Sequence, residues 1–193
     1  MIVTPPPIEG AEGHIAEMYE RDLATDGFVF RHTQVMAINP EAHEAFEALI
    51  RAIVPSIGVR TYELATLGAA RGIPSAHCLL AHGRKTLRAG AMDEEQLARV
   101  GRDYTDAGLS DADVAVMRFA EKTSTAPETM TDADAQDLRD QGFSDRQIVD
   151  IALAAAARNY YSRAVHALAV PVEDVPGVSP TLAEALLSPL DGR

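Results

Sequence analysis

Residues 144–168 read SDRQIVDIALAAAARNYYSRAVHAL. Ser144 and Gln147 have the spacing of a capping box, in which each side chain satisfies a backbone N–H that the first helical turn leaves free. The run that follows is rich in alanine, the best helix former. A helix from Ser144 to Leu168 would be about 25 residues and roughly 37 Å long. The whole chain of 193 residues has the same character: 47% hydrophobic, only 5% aromatic, without tryptophan. Alanine and leucine supply most of the apolar mass, which favours close helix packing over a sheet.

Outward from this helix the same punctuation recurs. Asp93 with Gln96 repeats the capping-box spacing, and Ser110 and Thr131 stand where caps stand. Asn39 caps a helix whose first position is Pro40, with Phe46, Leu49, Ile50 and Ile53 as its apolar stripe and Pro55 as its stop. Thr61 opens a helix to about Arg71, Gly72 and Pro74 break the chain, and Ser75 caps the next helix to about Arg88. Ala11 to Asp26 is helical, with Gly27 at its end. Phe28 to Met36 is ambiguous: FVF has strand character, but a lone strand finds no partner elsewhere. The sum is an all-α chain of about seven or eight helices joined by short loops. Three consecutive prolines make residues 1–10 an extended arm. Residues 11–170 form the helical domain, and residues 171–193 a tail with one short helix, Leu182 to Leu187.

Charge and cysteine usage narrow the function classes. Lys+Arg is 17 and Asp+Glu is 29, a net charge of −12. Such a chain repels phosphate backbones and anionic lipid, so neither nucleic acid nor a membrane is an expected partner. No apolar run approaches the roughly 18 residues of a membrane span. The start, MIVTPPPIEG, lacks the basic region of a signal peptide. A single cysteine forms no disulfide within the chain, and a cytoplasmic setting is expected.

That cysteine sits in the chemically richest segment. Glu63 is followed after eleven residues by Ser75-Ala76-His77-Cys78, with His82 four residues beyond Cys78. With Ser75 as N-cap, Cys78 is the third helical residue, where free backbone N–H groups and the positive helix end stabilise a thiolate. His82 shares a helix face with Cys78 and is placed to take its proton directly or through water. His77 adjoins Cys78 and could donate to a substrate oxygen. Glu63 shares a face with Leu67 and Ala70, so it points inward and needs a partner, which His82, or a water between the two, would supply rather than Cys78. Each residue also has a plainer reading: Cys78 a small buried hydrophobe, His82 a satisfied core histidine, Glu63 a first-turn carboxylate, Ser75 only a cap. No second ligand pair at zinc-like spacing accompanies Cys78 and His82, so no metal is expected, and no cofactor.

The segment resembles the AhpD-like proteins of the carboxymuconolactone decarboxylase group, whose motif is Glu-x11-Cys-x2-Cys-x3-His. Glu63, Ser75, Cys78 and His82 fall on its four positions, and some members also have histidine where His77 stands. GFVFRHTQVMAINPEAHEAF (27–46) resembles the family's lead-in helix pair. The stretch from Val116 to Val170 resembles the second half of the peroxidase-related subgroup, so the likeness spans roughly residues 10–170. It implies a compact, oligomerising AhpD-like helical domain, with Phe28 to Met36 helical. It also implies a thiol-dependent peroxidase acting on small hydroperoxides. The roles would be Cys78 nucleophile, His82 base, Glu63 orienting His82, and His77 and Ser75 tuning the thiolate. Two positions depart from the pattern: Ser75 replaces the first cysteine, and Ile73 stands where asparagine is common. Serine cannot join a disulfide cycle, so peroxide chemistry here would use one cysteine and an external thiol reductant. The namesake decarboxylases work without redox cysteines, which keeps open acid–base chemistry by His82 and Glu63 on a small organic acid. A family member that has lost activity and serves in binding or assembly is the third reading.

A second polar cluster lies on the Ser144 helix, where Asn159, Ser162 and His166 continue the stripe of Ile148, Ala152 and Ala155, flanked by Arg158 and Arg163. Asn159 or Arg163 could orient an anionic substrate; the alternative is a hydrogen-bonded seam between helices or subunits. His14, His32 and His43 form no pattern. An apolar helix of this length exceeds what a small single-layer bundle buries, so a homo-oligomer is expected, with this helix near its interface.

Overall fold

A computed structural model of the chain describes residues 1–190. Among the described residues there are nine α-helices and no strand: α1 (Gly13–Asp26), α2 (Arg31–Met36), α3 (Pro40–Gly72), α4 (Ala76–Arg88), α5 (Glu94–Arg102), α6 (Asp111–Thr125), α7 (Asp132–Asp140), α8 (Asp145–Ala167) and α9 (Pro180–Leu187). Local side-chain chemistry sets most of their starts. Asn39, Asp93, Ser110 and Ser179 each accept a bond from a backbone N–H three residues on. Thr131–Asp134 and Ser144–Gln147 are complete capping boxes. Ser75 precedes α4, but its side chain caps nothing, and neither do those of Glu12 before α1 and Phe30 before α2.

Two boundaries differ from the sequence expectation. Pro55 does not stop its helix. The chain continues helically to Gly58, whose φ of 79° and ψ of 161° break α3 three residues later. That left-handed φ comes at low cost only to glycine. Phe28–Phe30 is neither strand nor helix but an extended link, and α2 begins only at Arg31. Val29 and Phe30 are buried, and Phe30 N donates to Asp22 at 3.1 Å instead of to a helical carbonyl.

The second half of α3 is the hub, packed most extensively against α6 and α8, with α4 folded back on it. Leu64 and Leu67 of α3, Met117 of α6 and Ile151 of α8 are sealed from solvent in one apolar cluster. The helices approach closely because the contact faces carry small residues, among them Ala65, Ala69, Ala154 and Ala155. Gly68 marks the tightest point: a Cβ there would lie 2.6 Å from the Met117 carbonyl oxygen. The N-terminal arm and the tail as far as residue 190 both lie on this body. Ile2 N donates to Leu168 O at 3.0 Å, and Tyr19 OH donates to Pro6 O at 2.9 Å. In the tail, α9 packs on α5 and α4 and buries Leu182 and Leu186 in the main core. No helix among the described residues is long and apolar enough to cross a membrane.

Exposed helical glycine replaced by alanine gains up to about 1 kcal/mol. Gly68→Ala should do the reverse, because the added methyl collides with the α6 backbone. A loss of about 1–3 kcal/mol is expected, read as a lower denaturation midpoint in urea. An unchanged or raised midpoint would show that α3 and α6 are further apart than described.

Candidate active site

Cys78 is the third residue of α4, 3% exposed. Its Sγ lies 3.0 Å from Ser162 Oγ and 3.6 Å from Arg158 Nη1. Ser162 and Arg158 are one turn apart on α8, so a single face of that helix brings both to the sulfur. Arg158 is only 5% exposed and meets no carboxylate. Nη2 reaches Tyr62 OH at 3.5 Å, Nε has no partner, and the guanidinium lies over the rings of Tyr161 and Phe46, 5.4 and 6.0 Å from their centroids. Burial opposes its charge, but Cys78 and Tyr62 beside it hold its proton more firmly than usual. A guanidinium and a hydroxyl are thus the two polar groups that reach the sulfur.

On the next turn of α4, His82 Nδ1 lies 2.7 Å from Glu63 Oε2, with both side chains almost wholly buried. Glu63 comes from the second half of α3, which returns along α4 across the Gly72–Pro74 break. Burial pushes the Glu63 carboxyl up to about 7, opposed by Lys85, Arg158 and Arg88, and burial pushes the imidazole of His82 well down. Below about pH 7 the pair therefore holds its proton on Glu63, which donates to Nδ1 of neutral His82. Above it, Nδ1–H donates to the carboxylate and Nε2 becomes a free base. Among the described residues no hydrogen bond joins His82 to Cys78.

His32, His43, His77 and Tyr161 are among the side chains that line, with Cys78, His82 and Arg158, a chamber of about 90 Å³. The His77 ring nitrogens have no partner, although the carbonyls of Val170 and Pro171 lie near, and burial lowers its basicity. Burial lowers His32 well below the usual range and His43 to about 4, so both are neutral bases at neutral pH. The chamber adjoins an apolar compartment of about 250 Å³ that shares His43, Phe46 and Tyr161 with it. On its other side lies a cleft of about 450 Å³ that shares His82, Lys85 and Arg158. Despite the histidines, no three His, Cys, Asp or Glu side chains among the described residues cluster as metal ligands do.

His77, Cys78 and His82 thus line one cavity, Glu63 stands behind His82 and lines only the adjoining cleft, and three other sequence candidates stand elsewhere. The hydroxyl beside Cys78 is that of Ser162; Ser75 Oγ is buried without any partner. Asn159 donates to Ser124 Oγ and Ala155 O at 2.8 and 2.9 Å, which makes it part of the α6–α8 seam. Arg163 is exposed, and the arginine at the sulfur is Arg158. Residues 158 and 162 share a face, and 159 and 163 are each turned about 100° away from it.

No family model and no curated protein matches the chain. Solved structures do. An AhpD-core, uncharacterized peroxidase-related protein from Ralstonia eutropha JMP134 superposes with a TM-score of 0.78 at 23% identity, covering 90% of this chain and 92% of its own. A peroxidase-related protein from Silicibacter sp. TM1040 gives 0.78 at 24% identity, with 91% and 94% covered. The chain has the AhpD fold. That fold also houses other chemistry: the debrominase Bmp8, as a cysteine-to-alanine variant in complex with 2,3,4-tribromopyrrole, superposes at 0.78 with 20% identity over 96% of this chain and 97% of its own. At these identities the likeness is one of fold.

The Glu63–His82 pair of this AhpD-fold chain makes a pH prediction. A carboxyl whose folded pKa is raised to about 7 stabilises the fold below its unfolded value and loses that contribution as pH rises through 7. Glu63→Gln cannot titrate. Its stability relative to the parent should therefore rise by about 1–3 kcal/mol from pH 5 to pH 8. Urea unfolding of both proteins across this range measures it. Parallel pH profiles would show that Glu63 is ionised throughout.

Proposed function

We propose that this chain is an AhpD-like thiol oxidoreductase, a one-cysteine peroxidase acting on small organic hydroperoxides. The observation that carries the reading is the buried guanidinium of Arg158, which has the Cys78 sulfur and no carboxylate to balance it. A thiolate supplies that missing charge. The Cys78 thiolate attacks the outer oxygen of RO–OH, an S–O bond forms, and the O–O bond breaks. The RO⁻ that leaves takes a proton that His82 Nε2 had accepted from the thiol through a bridging hydroxyl or water. Glu63 acts as a positioning residue that fixes the His82 tautomer. The product is a sulfenic acid. No second cysteine exists to resolve it, so one external thiol forms a mixed disulfide and releases water, and a second restores Cys78. The apolar compartment beside the chamber suits an organic R group better than hydrogen peroxide.

Turnover of tert-butyl hydroperoxide with a small dithiol as reductant tests this. Cys78→Ser should abolish turnover, and mass spectrometry of the parent with a sulfenic-acid trap should find one adduct, on Cys78. Arg158→Leu should slow oxidation by about 100-fold, since it removes a charge-assisted contact to the attacking atom. Activity on a small organic acid retained in Cys78→Ser would replace the peroxidase with acid–base catalysis by His82 and Glu63. Bromide release from a brominated pyrrole without peroxide turnover would replace it with dehalogenation.

We also infer a homo-oligomer. Val149, Leu153, Ala156 and Tyr160 form an exposed, largely apolar stripe along the outer face of α8, and a second copy of the chain would cover it. Light scattering should return at least twice the 20.7 kDa of one chain, and Leu153→Lys should lower it. A parent mass of one chain at micromolar concentration would refute the assembly.

A further inference from the structure

The cleft that opens onto His82 is lined by five cations, and three of them are already paired. Arg21 bonds Glu47, Arg51 bonds Glu44 and Glu47, and Arg88 bonds Asp26. Arg158 faces Cys78 and Tyr62 and keeps an unpartnered Nε. Lys85 has no ion pair or hydrogen bond among the described residues. It is half-buried, three residues after His82 and seven after Cys78 on the same face of α4. It lines both the chamber and the cleft and so belongs to their junction. Of the nearby carboxylates, Glu47 holds two arginines, Glu63 holds His82, and Asp22 accepts from Phe30 N and feels the charge of Lys85 without an ion pair or hydrogen bond to it. A half-buried ammonium without an ion pair or hydrogen bond is a place for an anion that arrives from outside.

We propose that the substrate carries a carboxylate and that Lys85, at the junction of cleft and chamber, binds it as the reactive group meets Cys78. This rests on Cys78 being the nucleophile, as in the peroxidase reading, and narrows that reading to hydroperoxides of organic acids. Lys85 is then a specificity residue: it sets which molecules reach the thiolate, and Arg158 and Ser162 set how the thiolate reacts. Entry of a carboxylate exchanges its water for an ammonium that a neutral hydroperoxide leaves unused. The preference is therefore for the anion over its neutral isostere.

Two alkylating reagents of nearly the same size read this without any peroxide. In both, the Cys78 thiolate displaces iodide and forms an S–CH2 bond, but iodoacetate is an anion and iodoacetamide is neutral. Rates for the full chain, followed by mass spectrometry at neutral pH, give the ratio of the two, in which changes in thiolate reactivity cancel. The parent ratio should exceed that of a free small thiol by about tenfold, and Lys85→Met should lower it by about tenfold. Lys85→Arg should keep most of it. Arg102→Met, on the exposed end of α5, should leave it unchanged and so exclude a net-charge effect. On the parent alone, propionate should slow alkylation by iodoacetamide and propionamide should not, which holds the test open even where a variant folds poorly. A ratio unchanged in Lys85→Met, an equal fall in Arg102→Met, or equal protection by propionate and propionamide would overturn the proposal. Lack of turnover with hydroperoxides would remove the peroxidase reading and leave the alkylation ratio as it stands.

Discussion

The site depends on one buried charge without a carboxylate. Taking a guanidinium out of water costs several kcal/mol unless its field is answered, and breaking a buried pair is worse than never forming it. Around Arg158 the answer comes from the Cys78 sulfur, the Tyr62 hydroxyl and the faces of Phe46 and Tyr161. Each of these lies on a different helix or turn from Arg158, so the charge ties α3, α4 and α8 to one point. It also explains a contradiction inside α8, an alanine-rich helix that buries an arginine and a serine near its middle. The alanines let the helices close on each other; Arg158 and Ser162 are the two positions where that closeness delivers polar groups to sulfur.

A second buried pair, Glu63 and His82, lies on the next turn of α4 and obeys different physics. Below about pH 7 neither member is charged, because the Glu63 carboxyl donates to a neutral imidazole. The two arrangements divide the chemistry. Arg158 and Ser162 contact the sulfur, and in the proposed reaction the dyad directs the proton. The separation is geometric as well, since no hydrogen bond among the described residues joins His82 to Cys78.

Local chemistry was legible in the sequence and distant chemistry was not. Caps at Asn39, Ser110, Thr131 and Ser144 could be read because a cap is a bond between residues three apart. The Glu63–His82 meeting could be read because one helix hairpin carries both. The α3 break was misplaced because proline removes one donor and leaves neighbours helical, whereas the turn itself needed the left-handed φ of Gly58. Arg158 and Ser162 lie 80 and 84 residues from Cys78, and only the docking angle of α8 decides that they, and not Asn159 or Arg163, face it. His32 and His43 carry no spacing signal at all, since they belong to the site only through the packing of α2 and α3 around the chamber, whereas Lys85 shares a helical face with Cys78 and His82 but nothing in that spacing says that it has no ion pair.

The depth of Cys78 limits how a one-cysteine cycle could be completed. A sulfenic acid on this sulfur would sit in a chamber of about 90 Å³, with 3% of the residue open to solvent. A redox protein presents its thiol on a folded surface, and such a surface cannot enter a space of this size. Ser75, where a second cysteine would stand in the resembled motif, is itself fully buried and offers no route from inside. Without rearrangement, reduction falls to a thiol small enough to enter by the outer cleft. That cleft passes Lys85 and the Glu63–His82 pair before it reaches the sulfur. Substrate and reductant would then share one entrance and meet the same charge, so an acidic thiol would be drawn to Lys85 as an acidic substrate is.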